Sequence, residues 1–160
     1  MILGTLQTQD LQNAHPGRCC IQDPSLYLTS QDPREVSEVK PIERISNSKF
    51  PIYKALSLRE KKPYAMKVFP YIDGKPNSYF LNESSFSSLS HVNVVSCKKV
   101  IPKQKVIING NSFEASYILY ELARCDFLHL VGYPEFLLNE KLVRTYFRQL
   151  IEGIEYLHSN

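Results

Sequence analysis

Apolar positions recur along this chain in a pattern that changes several times. Up to residue 40, Gln, Asp, Ser, Thr and Pro dominate, with only short apolar pieces such as Ile21 and Leu26-Tyr27-Leu28. That stretch has little apolar surface to bury, which predicts a loosely ordered tail over 1–40. The spacing then turns to that of strands. Ile42, Ile45, Ile52, Tyr53, Ala55 and Leu56 predict a two-stranded hairpin, and Pro63–Phe69 predicts a strong strand ended by Pro70. Asp73-Gly74-Lys75-Pro76 predicts a turn. Ser78–Leu89 predicts a short helix with Tyr79, Phe86 and Leu89 as its apolar positions. Val94–Val100, Val106–Ile108 and Tyr117–Tyr120 predict further strands. Asn109-Gly110 lies between the last two, and both residue types tolerate positive φ, so a hairpin is expected there. The clearest helix comes last. Leu142, Val143, Tyr146, Phe147, Leu150, Ile151, Ile154 and Leu157 recur at steps of three and four and give one apolar face. Asn139 is placed to cap this helix, and Glu140 suits the positive end of its dipole. Strands, a helix, more strands and a long helix make an α+β order.

Composition narrows the class. The chain has 160 residues, 43% hydrophobic and 22% charged, which suits one globular domain with a tail. The net charge of +3 is small, and the basic residues are scattered apart from pairs such as Lys61-Lys62 and Lys98-Lys99, so no nucleic-acid partner is expected. Cys19, Cys20, Cys97 and Cys125 contain no Cys-x-x-Cys spacing, and His15, His91, His129 and His158 form no metal-ligand pattern with them. No metal site is expected, and the Cys19-Cys20 pair has no redox motif around it. The N-terminus lacks the basic start and apolar run of a signal peptide. No apolar stretch approaches the about 18 residues of a membrane span, so no membrane partner is expected. A cytoplasmic protein is the default expectation, with the nucleus as the alternative.

The sharpest chemical signal is Tyr64-Ala65-Met66-Lys67-Val68. Side chains alternate along a strand, so Ala65 and Lys67 share one face while Met66 and Val68 share the other. One face can then be core. The other can present room for a flat ring and, beside it, an ammonium for phosphate oxygens. A lone Lys in a strand is more often simply solvated. The segments around this one decide how it is read.

Ala65-Met66-Lys67 resembles the third-strand motif of eukaryotic protein kinases, usually Val-Ala-Ile-Lys. Leu89-Ser90-His91-Val92-Asn93-Val94-Val95 resembles the segment entering the fourth kinase strand, with Val92 where Pro is usual. Tyr117-Ile118-Leu119-Tyr120-Glu121-Leu122-Ala123 is similar to the fifth strand and hinge. Tyr146-Phe147-Arg148-Gln149-Leu150 through Gly153-Ile154-Glu155-Tyr156-Leu157-His158 resembles the long helix before the catalytic loop, in the serine/threonine style. These matches occur in family order over roughly residues 42–160.

The resemblance implies a kinase-like small lobe over 41–121, with about five antiparallel strands and one helix. It also implies a hinge over 121–126 and the start of a large lobe over 127–160. It implies an ATP site in which Ala65 and Tyr120 flank adenine, Lys67 reaches phosphate and pairs with a helix Glu, the backbone of Glu121 and Ala123 bonds the adenine edge, and Asp126 meets a ribose hydroxyl. Strict alignment puts Asn82 at the helix position, whereas a one-residue shortening before His91 puts Glu83 there. His91 reads as a capping or packing residue. No catalytic residue is expected within this stretch, because the family's base and metal-binding residues would follow Asn160. Mg²⁺ binding is expected only with those residues present.

One stretch departs from the family. Ser46 and Ser48 stand where the phosphate-covering loop has glycines, and Pro51 lies near the third. Glycine lets backbone approach phosphate, serine restricts that, and proline removes a donor. Weak ATP binding and no catalysis from these residues alone are the expectation. Three functions compete: part of a serine/threonine protein kinase, a non-catalytic kinase-like module with a protein partner, and an unrelated α+β interaction domain.

Overall fold

The structure is a computed structural model that describes residues 39–46 and 48–160. Most of the expected tail, and Cys19 and Cys20 with it, lies outside the described residues. The element order is β1 (Val39–Ser46), β2 (Ile52–Ser57), β3 (Pro63–Pro70), α1 (Ser78–Ser85), β4 (Cys97–Ile108), β5 (Asn111–Glu121), α2 (Phe127–Val131), α3 (Pro134–Leu138) and α4 (Glu140–Ser159). The chain divides into two compact units. The described part of one is the sheet with α1, and that of the other is 89–96 with 123–160.

The sheet unit is a five-stranded antiparallel sheet in the order β1-β2-β3-β5-β4. Its centre is the β3–β5 pair, where Met66 faces Leu119 and Val68 faces Tyr117 in register. Those four side chains join Val39, Ala55, Val106 and Ala115 in one buried cluster. Full burial of each large apolar side chain stabilises the fold by roughly 1.5–3 kcal/mol. Asn109 and Gly110 both take positive φ, at 51° and 79°, and close the β4–β5 hairpin with the twist its strands need.

Two expectations about the sheet need correction. Val94 and Val95 are not in a strand, and Val100 and Val106 belong to one continuous strand, β4. β4 runs through Pro102, which an edge strand tolerates where the missing N–H would face away from the partner strand. A register irregularity between Ile101 and Gln104 absorbs it, and the Pro102 carbonyl accepts hydrogen bonds from Tyr71 Oη (2.9 Å) and Ser116 Oγ. Lys98, Lys99, Lys103 and Lys105 line this edge strand, which disfavours pairing with another chain.

α1 is shorter than expected, and its apolar positions differ. It runs from Ser78 to Ser85, capped by Asn77 Oδ1, which accepts the Tyr79 N–H at 3.0 Å. Ser84 and Ser85 return their hydroxyls to the carbonyls of Leu81 and Asn82, and Phe86 caps the end. Such side-chain bonds to backbone compete with further helix, which is why it stops before Leu89. Phe80 is the buried residue, while Tyr79 and Phe86 are exposed. An isolated helix this short is unstable in water, so its place on the sheet depends on side-chain contacts.

In the other unit, α4 is continuous through Gly153 over 20 residues, about 30 Å long. Asn139 Oδ1 accepts the Leu142 N–H at 3.1 Å as its cap. Tyr146 packs with Phe127 and Phe136 of α2 and α3, two helices the sequence pattern did not suggest. The expected single apolar face of α4 is only partly covered, since Phe147 and Ile151 are exposed. His91 stacks on Tyr156 at 4.8 Å, Ser90 N–H donates to Tyr156 Oη, and Asn93 Nδ2 donates to Glu152. His91 is thus a packing residue within this unit.

Candidate functional site

β3 assigns its side chains by alternation. Met66 and Val68 enter the core, which leaves Ala65, Lys67 and Phe69 on the opposite face beside α1. Lys67 Nζ lies 2.5 Å from Glu83 Oε2. Of the two residues the spacing left open, Glu83 makes the ion pair, while Asn82 is exposed. The pair is largely sheltered, with side-chain exposures of 15% and 24%, so water screens it less than a surface pair.

Tyr120 sits opposite Ala65 in the β3–β5 register. Its hydroxyl donates to Glu83 Oε1 at 2.7 Å. Both oxygens of this carboxylate are therefore held, one by a cation and one by a phenol. Burial, first, and then the hydrogen bond and charge of Glu83 push the Tyr120 phenol far above its ordinary value of 10.0. A folded-state value above the unfolded one gives stability that is complete below about pH 10 and is lost as pH rises. In an alkaline titration followed by tyrosinate absorbance, Tyr120 should stay protonated until the chain unfolds. Native-state ionisation of Tyr120 near pH 10 would contradict this geometry. Cys97 pairs with Tyr120 in register on the other side, and burial chiefly pushes its thiol up as well. A thiol so shifted is a poor nucleophile.

The β1–β2 loop is arranged differently from a phosphate cradle. Ser48 N–H donates to Ser46 Oγ at 3.2 Å, and Ser48 Oγ donates to the Phe50 carbonyl at 2.5 Å. Pro51 has no N–H, and its carbonyl accepts from Val68 N–H at 3.0 Å. The Phe50 ring packs on Phe69 (5.0 Å) and on Tyr79 of α1 (5.2 Å), with Lys49 Nζ 4.1 Å from the Tyr79 ring centre. Local bonds and aromatic packing thus fasten the loop to β3 and α1.

These residues fit an adenine nucleotide in part. The small Ala65 and the sheltered Lys67 share a face, as a flat ring beside a phosphate would require, but in the loop Ser48 N–H is already bonded to Ser46 Oγ and Pro51 has no N–H. Among the described residues, no group of three or more His, Cys, Asp or Glu could hold a metal ion. Glu121 ends β5, paired with Tyr64. Ala123 and Asp126 belong to the other unit, where Asp126 Oδ1 accepts the His129 N–H at 2.6 Å and caps α2. That bond occupies one oxygen of the residue expected at a ribose hydroxyl. Sequence reasoning missed two features: the contact of Tyr120 with Glu83, and the anchoring of the loop through Phe50. An aromatic residue at either position gives no sign of its partner until strand register and helix placement are known.

No protein-family model matches the chain. It is 26% identical over 112 residues to the serine/threonine-protein kinase bur1 of Emericella nidulans, which covers 68% of this chain and 20% of that protein. It is 24% identical over 131 residues to a probable serine/threonine-protein kinase of Arabidopsis thaliana, covering 79% of this chain and 17% of that one. The chain therefore spans about a fifth of the length of the curated relatives it matches. The crystal structure of the yeast RNA polymerase II CTD kinase CTDK-1 complex superposes with a TM-score of 0.58 at 26% identity, over 83% of this chain and 40% of that one. The five-stranded sheet with α1 has the fold of a protein-kinase small lobe, and the similarity in sequence is to serine/threonine protein kinases.

Proposed function

We infer that this stretch of a serine/threonine protein kinase domain binds adenine nucleotide on the Ala65–Lys67 face of its sheet. The observation that carries the reading is the sheltered Lys67–Glu83 pair beside a small residue on the same face. Lys67 would hold phosphate oxygens, Glu83 would hold Lys67, and Ala65 with Tyr120 would flank the base. In the whole protein the nucleotide would supply a phosphoryl group for transfer to protein hydroxyls. These residues bind and orient it, and they do not accept the hydroxyl proton.

A test is calorimetric titration of the 160-residue chain with ATP and magnesium. The expected result is a dissociation constant weaker than about 1 μM, because the loop lacks glycines, spends both Ser48 donors locally and has no N–H at Pro51. Lys67→Ala should weaken ATP further, to no better than adenosine. Tight binding that survives Lys67→Ala would refute the placement.

A second reading is a non-catalytic, kinase-like module that binds a protein. The pinned loop favours it, since it leaves phosphates poorly held. Tyr79, Leu81 and Phe86, exposed at 53%, 54% and 57%, give such a partner apolar contacts, and the CTDK-1 neighbour is itself a complex. A folded chain that gives no heat with millimolar ATP would support this reading over the first. Either activity would suit the nucleus or the cytoplasm; no helix among the described residues is long and apolar enough to cross a membrane.

A further inference from the structure

Glu83 is the only side chain by which α1 meets both central strands through polar bonds among those described: Oε2 to Lys67 of β3, Oε1 to Tyr120 of β5. The two donors differ in kind. An ammonium on a four-carbon stem can swing toward other oxygens. A phenol has two side-chain torsions before its hydroxyl rotor, and that of Tyr120 is 8% exposed in a packed strand, so its position is fixed. If only Lys67 held Glu83, movement of Lys67 toward a phosphate would release the carboxylate and loosen α1. With Tyr120 in place the carboxylate keeps its position, and the ammonium stays tethered to a fixed point while sharing its remaining protons with a ligand.

We propose that Tyr120 is a positioning residue, whose hydroxyl holds the Glu83 carboxylate in place so that Lys67 presents its ammonium to phosphate at a fixed point. The phosphate part rests on the nucleotide reading above. The hold on Glu83 does not.

Tyr120→Phe removes one oxygen and keeps the ring, so the packing against Ala65 survives. The experiment uses the full chain with three readouts. The first is the rate at which an acylating reagent modifies Lys67, measured by mass spectrometry relative to the exposed Lys75. Loss of one hydrogen bond is typically worth a factor of roughly three to ten, and Lys67 should be modified faster by that order in Tyr120→Phe. The second is the same measurement in a Glu83→Ala background, where Tyr120→Phe should add nothing, since the two act as one unit. The third is ligand affinity. ADP should bind roughly three- to tenfold more weakly to Tyr120→Phe while adenosine binds unchanged.

Unchanged Lys67 labelling in Tyr120→Phe would overturn the hold, whatever nucleotide does. An additive effect in the Glu83→Ala background would overturn it too, because the phenol would then act through packing. Equal weakening of ADP and adenosine would overturn the presentation of phosphate. If the parent chain binds neither ligand, the nucleotide reading falls and the phosphate part with it, while the labelling still decides whether Tyr120 holds Glu83.

Discussion

Phe69→Ala should destabilise the sheet unit by about 3–5 kcal/mol, the usual range for emptying a buried Phe site. The ring is fully buried at the end of β3. It contacts Phe50 of the β1–β2 loop at 5.0 Å and Phe80 of α1 at 5.7 Å, and Lys67 Nζ lies 5.3 Å from its centre. One side chain therefore ties together the strand, the helix and the loop that frame the candidate site. The loss is large against the about 5–15 kcal/mol total of an ordinary domain. Denaturant unfolding of the variant should show it directly. Hydrogen exchange should also rise first in α1, which cannot persist without its contacts. Phe86→Ala is the comparison. Phe86 lies just past α1 and is exposed, so its removal should change stability by no more than about 0.5 kcal/mol. Equal costs for the two variants would mean that the aromatic group around Phe69 does not anchor α1.

How much of this was legible in the sequence depended on the signal each element carries. β3 was legible because alternation in Tyr64–Val68 separates a core face from a chemical face before any partner is known. The β4–β5 hairpin was legible because Asn-Gly names its own turn. α4 was legible through its helical period and its cap, although the period did not reveal that Phe147 and Ile151 stay exposed. The limits of α1 were hidden, because serine bonds back to its own backbone ended the helix within a run that looked helical. The continuity of β4 through Pro102 was not legible, because whether a strand tolerates Pro depends on its being an edge, and strand order is not written in a local pattern. In the site, the Lys67 face could be read directly. The choice between Asn82 and Glu83 turned on one residue of chain length, and the geometry gives the pair to Glu83. The bond from Tyr120 joins a strand and a helix 37 residues apart, a relation that no spacing rule encodes.

Ala65→Phe should weaken both ATP and adenosine by about 100-fold while leaving the fold nearly intact. A 100-fold loss corresponds to about 2.7 kcal/mol of binding free energy. The argument starts from position. Ala65 lies on the same face of β3 as Lys67, opposite Lys54 on one neighbouring strand and Tyr120 on the other. It is half-buried and lies outside the buried cluster around Met66 and Val68, so a larger side chain there does not overpack that core. Phe also suits a strand better than Ala, so stability should stay within about 1 kcal/mol of the parent. A flat ring that uses the space above Ala65 would meet the new side chain at once. The adenine half of the ligand is then lost, whatever Lys67 does for the phosphates. Three variants thereby divide the site. Lys67→Ala should cost ATP but spare adenosine, and Tyr120→Phe should do the same more weakly. Ala65→Phe should cost both. Competition binding against a fluorescent adenosine derivative reads all three on one scale. Undiminished adenosine binding in Ala65→Phe would move the base off this face, and the small residue beside Lys67 would then be a feature of sheet packing alone.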